Sequence, residues 1–259
     1  MYMSKSYDIC MRDDGILVFT ITRPDKRNAV NFEVMAGLNE AIQLANETKV
    51  KAFVITGEGE EAFCSGGDLG EFHQLKTEEQ AYQMLIKMGE LLYQLAMLSK
   101  PTVALINGIA IGGGCEIAAA CDIRIARKGI KAGFVQGKLA ITTGWGGGTI
   151  LLERVQHSAA MKMLLEAKIY SFQQLIDLGF VQYIYEGDRW EGLRNNLDFI
   201  FSLEDTVLTA YKMMFVRKMR LLDLKERIES EIRQCALLWE KDAHHKQVDK
   251  FLNKKMTDQ

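Results

Sequence analysis

The sequence predicts an α/β protein with a parallel sheet, followed by a C-terminal helical region. Three observations carry this. Short β-rich runs alternate with segments of helical apolar spacing, and such alternation requires crossovers between parallel strands. From about residue 157 the β-rich runs become scarce and helical spacing dominates to the end. The chain has 259 residues, 48% of them hydrophobic, enough for one sizeable core with a helical appendage. The division expected is a strand-rich core over 1–195 and a helical oligomerisation region over 196–259.

The elements follow in order. Residues 7–11 and 15–22 (GILVFTIT) are close together and predict a hairpin. Asn31 is placed to cap a helix over 32–47, whose apolar positions recur at helical spacing. Residues 51–57 (KAFVITG) read as a short strand ending in glycine, followed by the loop EGEEAFCSGGD. Thr77 and Gln80 make a capping box for a helix running to about residue 98. Two further buried strands are expected at 102–107 and at 121–126 (CDIRIA). Beyond them Ser158 and Ser171 look like helix caps, and Ser171 with Gln174 again fits a capping box.

Composition excludes several function classes. A net charge of -2 gives no reason to expect a nucleic-acid partner or an anionic membrane. The start, MYMSKSYDIC, lacks the apolar stretch of a signal peptide, and no apolar run reaches the length of a membrane span. The five cysteines show neither metal spacing nor a paired framework, so no metal site is expected. Reduced thiols and a cytoplasmic location are the expectation.

Chemistry is concentrated in two glycine stretches. FCSGGDL (63–69) follows one strand, IGGGCE (111–116) follows another, and each precedes a segment of helical character. Helix N-termini carry unpaired N–H groups, and glycine lets a ligand approach them closely. One such loop can bind a phosphate; two that converge can direct two N–H groups at one developing oxyanion. The phosphate-loop pattern G-x-x-x-x-G-K-[ST] is absent, and G-x-G-x-x-G is not met at 108–116 or after Gly57. A purely structural role in turns and tight packing stays open.

Glu116 stands among Cys115, Ile117 and three alanines. Desolvation there would raise its proton affinity and let it exchange protons near neutral pH. The competing expectation is a buried salt bridge to Arg124 or Arg127.

The segments ITRPDKRNAVN, AFCSGGDLGEF, KPTVALINGIAIGGGCEIAAACDIRIA, GWGGGTILLERV and HKQVDKFLNKK together resemble the crotonase superfamily, the enoyl-CoA hydratase/isomerase family. The resemblance implies a superhelix of ββα turns with a C-terminal helical trimerisation region, assembled as a homotrimer or a dimer of trimers (a hexamer). It also implies an acyl-CoA thioester as ligand, with coenzyme A part of the substrate and no separate cofactor. Gly67 and Gly113 match the oxyanion-hole positions, and Glu116 matches the first catalytic glutamate of the hydratases. Lys26, Arg27, Ala29 and Ser65 match coenzyme A contacts. Phe251 and Lys254 match C-terminal residues that reach the nucleotide of an adjacent subunit.

One departure bears on the reaction. Hydratases carry a second glutamate in a segment similar to F-G-Q-P-E; here the segment is FVQGK (134–138), and Lys138 holds the acid's place. The stretch from FVQGK through GWGGG is similar to the ethylmalonyl-CoA and methylmalonyl-CoA decarboxylase branch. Lys138 is therefore a candidate for holding a substrate carboxylate, against the alternative of a solvated surface lysine. Trp145 is a candidate wall of the acyl pocket, against simple packing. The expected activity is decarboxylation of a malonyl-type thioester. The alternatives are an enoyl-CoA hydratase or isomerase of fatty-acid metabolism and a non-catalytic acyl-CoA binder. A serine hydrolase is disfavoured, because none of the four histidines follows a nucleophile elbow.

Overall fold

The computed structural model describes residues 5–257, with side chains through Phe251 and at Asn253. The chain opens with β1 (Tyr7–Met11), β2 (Ile16–Ile21), α1 (Phe32–Leu44), β3 (Ala52–Gly57), β4 (Ala62–Cys64), α2 (Leu69–Phe72) and α3 (Glu78–Ala96). It continues with β5 (Thr102–Ile106), β6 (Ile109–Ile111), α4 (Gly113–Ala120), β7 (Ile123–Arg127), β8 (Lys131–Gly133), α5 (Gly147–Arg154), α6 (His157–Glu166) and β9 (Tyr170–Ser171). Then follow α7 (Phe172–Asp177), β10 (Tyr183–Tyr185), α8 (Arg189–Asn196), α9 (Asp198–Ser202), α10 (Asp205–Leu221), α11 (Leu224–Trp239) and α12 (Asp242–Thr257).

Two sheets result. The larger runs β1-β2-β3-β5-β7-β10, parallel apart from the β1–β2 hairpin; the smaller runs β4-β6-β8-β9. Successive turns of the chain give one strand to each: β3 then β4, β5 then β6, β7 then β8. A helix follows each pair, which makes a ββα superhelix. The expected parallel sheet is present, and the second sheet wraps it into a coil.

The large sheet is buried on both faces, which is why its central strands read as continuous apolar runs. Phe53 and Ile55 of β3 enter one core with α1, α3 and α4. Ala52 and Val54 face the other way, onto Leu193, Leu197, Ile200 and Leu208.

The caps are largely as expected. The Asn31 side chain accepts from the Val34 N–H, and both capping boxes form, Thr77 with Gln80 and Ser171 with Gln174. Ser158 is not a cap: α6 starts at His157 behind Gln156, so Ser158 lies inside its first turn. The first helix stops at Leu44, short of the predicted 47. The loop after β3 contains the three-residue strand β4, too short to show a period.

The C-terminal helices fold back on their own chain. Met219, Leu224, Ile228, Ile232, Cys235 and Trp239 join the main core. α11 lies against α3 at Gly89, where any larger residue would strike the Ile232 side chain. α10 is clamped by Lys212, whose ammonium donates to buried Asp122 at 2.5 and 2.6 Å. The apolar stripe of α10 is thereby split. Leu208 and Met219 are buried in the chain itself, whereas Tyr211 is 67% and Met214 62% exposed. Arg154 covers the Phe215 ring at 4.0 Å.

Candidate active site

The two glycine stretches meet. Gly67 forms an isolated parallel bridge with Val30. The Val30 N–H donates to the Gly66 carbonyl at 2.8 Å, and the Asp68 N–H donates to the Val30 carbonyl at 2.8 Å. Bonds on both sides of Gly67 thus face Val30, and in extended backbone the N–H between them points the other way. Gly113 is the first residue of α4, so its N–H has no acceptor within the helix. A Cβ built on Gly66 would lie 3.3 Å from the Gly113 nitrogen, which puts the two loops in contact.

Trp145 is buried beneath both. A Cβ on Gly113 would collide with its indole, and one on Gly67 would lie 3.5 Å from it. Glycine at 113 is therefore required by close approach.

Glu116 lies one helical turn into α4 and is 2% exposed. Its Oε2 accepts from the N–H groups of Trp145 and Gly147, each at 2.9 Å. Its Oε1 accepts from Gln136 Nε2 at 2.8 Å and from the Gly144 N–H at 3.4 Å. No cation reaches it among the described residues. Arg124 is spent on the Cys121 and Phe180 carbonyls, and Arg127 pairs with Glu60 at 2.7 Å. The salt-bridge alternative therefore has no partner. Burial is the largest influence on Glu116 and the negative charge of Glu231 the second; against the amide donors, they push its carboxyl up to about 7.

Glu231, on α11, had no signal in the sequence beyond its place in an amphipathic helix. It accepts from Thr143 Oγ1 at 2.6 Å, the Gly148 N–H at 3.1 Å and the Thr149 N–H at 2.6 Å. Burial raises its proton affinity too. Packing around the two acids explains two of the glycines of GWGGG. A side chain at 147 would strike Glu116, and a Cβ at 148 would lie 2.6 Å from Thr143 Oγ1.

Gln136 was not singled out from the sequence, although it stands inside FVQGK. It is Gln136, on the 3-10 turn Gln136–Leu139, that touches Glu116. Lys138 is exposed on the same turn. Side chains two positions apart on such a turn point roughly 240° apart, so Lys138 lies on a different face from Gln136.

The remaining candidates divide. The segment holding Lys26, Arg27 and Ala29 adjoins Ser65: the Ser65 N–H donates to the Arg27 carbonyl at 3.1 Å and its hydroxyl to the Lys26 carbonyl at 3.3 Å. Arg23 ties the segment down, donating to the Ala29 carbonyl and pairing with Asp68, both at 2.7 Å. Phe251 is exposed on α12, and the Lys254 side chain lies outside the described residues. Cys64, Cys115, Cys121 and Cys235 are buried free thiols, all pushed up by burial. Among the described residues no group of acids, histidines and cysteines could hold a metal ion, and no helix is long and apolar enough to cross a membrane.

Known proteins share this fold and sequence. The family model for enoyl-CoA hydratase/isomerase matches residues 11–258. The short-chain-enoyl-CoA hydratase of Clostridium acetobutylicum is 33% identical over 69% of this chain and 68% of its own length. The ethylmalonyl-CoA decarboxylase of Xenopus laevis is 33% identical over 70% of this chain and 61% of its own length. The crystal structure of an enoyl-CoA hydratase from Bacillus halodurans superposes with a TM-score of 0.85 at 25% identity, covering 94% of this chain and 99% of that one. The chain belongs to the enoyl-CoA hydratase/isomerase family.

Proposed function

We propose that the protein acts on an acyl-CoA thioester through an enolate, and that the reaction is loss of CO2 from a malonyl-type thioester. The thioester oxygen accepts from the Gly67 and Gly113 N–H groups. As the bond between the α-carbon and the carboxylate breaks, its electron pair passes into the thioester as an enolate and CO2 departs. Protonated Glu116 then delivers its proton to the α-carbon, and solvent restores it. Lys26, Arg27, Ala29 and Ser65 hold the coenzyme A portion. Phe251 and Lys254 extend that contact to a neighbouring copy in a trimer or a dimer of trimers. Trp145 walls the acyl side, and Lys138 orients the substrate carboxylate as a point charge. Coenzyme A enters as part of the substrate, and the protein works in the cytoplasm.

The observation that carries this proposal is the setting of Glu116. Its carboxyl is poised near neutrality and bonded to the Gln136 amide, while the position where hydratases carry a second glutamate holds Lys138. The other acid nearby, Glu231, is taken up by Thr143 and the Gly148 and Thr149 N–H groups. Hydration uses two groups to activate and position water, whereas decarboxylation needs an oxyanion sink and one proton donor. Hydration or isomerisation is the second possibility. The exposure of Lys138 favours it, because a solvated lysine need not meet substrate, and relatives are named as hydratases as well as decarboxylases.

The test is a panel of malonyl-type and 2-enoyl thioesters incubated with the protein and followed by mass spectrometry. CO2 loss from a malonyl-type thioester is expected. Strong hydration of a short 2-enoyl thioester, unaltered by substitution of Lys138, would restore the ordinary hydratase. Tight acyl-CoA binding with no turnover of any member would leave a binder.

A further inference from the structure

The N-terminus of α5 is shared by two acids. Of its first three N–H groups, that of Gly147 donates to Glu116, at 2.9 Å, while those of Gly148 and Thr149 donate to Glu231, at 3.1 and 2.6 Å. The residues just before divide in the same way, Gly144 and Trp145 to Glu116 and Thr143 to Glu231. One backbone segment, 143–149, thus lies between a carboxylate on α4 and a carboxylate on α11.

We propose that Glu231 is a positioning residue for Glu116: it holds the 143–149 segment whose remaining N–H groups bind Glu116, and places its charge across that segment from it. This rests on the assignment of proton transfer to Glu116. Two like charges bound to one short backbone segment disfavour joint ionisation, so the pair titrates as a coupled unit. Removing the charge of Glu231 makes Glu116 a stronger acid.

The groups around the pair leave this coupling uncompensated. On α5, Glu153 is paired with Lys218 at 3.1 Å and Arg227 at 2.8 Å, and Arg154 with Asp122 at 3.1 Å. Cys115 of α4 and Cys235 of α11 feel the charge of Glu116, and burial keeps both as thiols. On α3, burial and the bond to Glu229 keep the Tyr82 phenol neutral. On α12, His244 bonds the Leu139 carbonyl at 2.7 Å, and burial lowers its proton affinity. Among the described residues no cation pairs with either acid.

Glu231→Gln keeps one acceptor oxygen for the α5 N–H groups and removes the charge. Its effect is read by carboxyl 13C NMR titration of Glu116, the signal identified by its absence in Glu116→Gln. The Glu116 midpoint should fall by about one pH unit, and the pH limb of kcat should move down equally, with KM within about twofold. An unchanged midpoint alongside reduced thermal stability would make Glu231 a plain helix cap and overturn the proposal. Should Glu231→Gln not fold, Glu231→Asp supplies the second measurement: its shorter side chain draws the carboxylate back toward α11, so the Glu116 midpoint must fall by a smaller amount. A Glu116 midpoint unmoved there would also overturn it. Because the titrations need no substrate, they stand apart from the reaction assigned above. A coupled pair with no thioester turnover would remove the function and keep the coupling.

Discussion

The two ends of α4 bury carboxylates with opposite fates. At the first turn Glu116 is held only by an amide side chain and backbone N–H groups. Just past the last turn Asp122 is held by cations: Lys212 at 2.5 Å and Arg154 at 3.1 Å, with Thr102 donating both its N–H and its hydroxyl at 2.9 Å. Burial raises both acids. At Asp122 the cations outweigh it and the carboxyl lies below its ordinary value; at Glu116 burial wins and the carboxyl rises to about 7. A buried acid that must stay charged is given cations; one that must exchange a proton is given neutral donors. Asp122 thereby becomes structural, tying α10 and α5 to the core, and Glu116 becomes available for chemistry.

The largest expected effect separates the two in function. Glu116→Gln should lower turnover by about a thousandfold while acyl-CoA affinity changes no more than about threefold, since general acid–base groups contribute some 10²–10⁴ and act in the transition state. Single-turnover kinetics with a binding titration would check this. Equal loss of both would place Glu116 in binding.

Next comes the structural end. Lys212→Met removes one partner of a buried pair and should cost about 3 kcal/mol in urea unfolding, with kcat unchanged in the remaining folded protein. A cost below about 1 kcal/mol would show that Arg154 alone suffices for Asp122, and the contrast between the two ends would weaken.

Unfolding across pH sharpens the same contrast. Glu116 binds its proton more tightly in the folded chain than in the unfolded one. Stability should therefore fall as pH rises from about 4.5 through about 7 and then level off. The full shift corresponds to roughly 3 kcal/mol, at about 1.4 kcal/mol per pH unit. Asp122 contributes in the opposite sense: its stabilisation is present above about pH 4 and is lost as pH falls through its lowered folded value. Glu116→Gln should reduce the fall between pH 5 and 7 to the part that Glu231 contributes, and leave the acid-side loss intact. A fall undiminished in the variant would belong to another group.

How much of this was legible in the sequence follows from distance along the chain. Asn31, Thr77 with Gln80, and Ser171 with Gln174 act within three residues, so their caps could be read directly. Glu116 stood out because an acid in a run of small apolar residues has no bland local explanation. The meeting of Gly66 with Gly113 depends on parallel pairing of β4 with β6, and β4, β6 and β8 have only three residues each. The convergence therefore came from family resemblance and not from period. Glu231 was invisible because its donors lie 82 to 88 residues away. Ser158 misled because a serine before apolar residues resembles a cap, while the chain had already turned helical at His157.

The smallest structural effect is expected at Lys138, and it asks whether Glu116 can be given a second acid. Lys138 is exposed on the turn whose Gln136 touches Glu116. Lys138→Glu should change stability by no more than about 0.5 kcal/mol, as exposed substitutions usually do. If Lys138 orients a substrate carboxylate, reversing its charge should lower CO2 loss by about tenfold, a cost near 1.4 kcal/mol for one exposed point charge. A carboxylate there would also stand where hydratases place their second acid, so any hydration of a 2-enoyl thioester should rise. The two rates are to be measured on the same preparation, so that a folding defect lowers both. A change in neither rate would return Lys138 to the solvent and leave Glu116 to act alone.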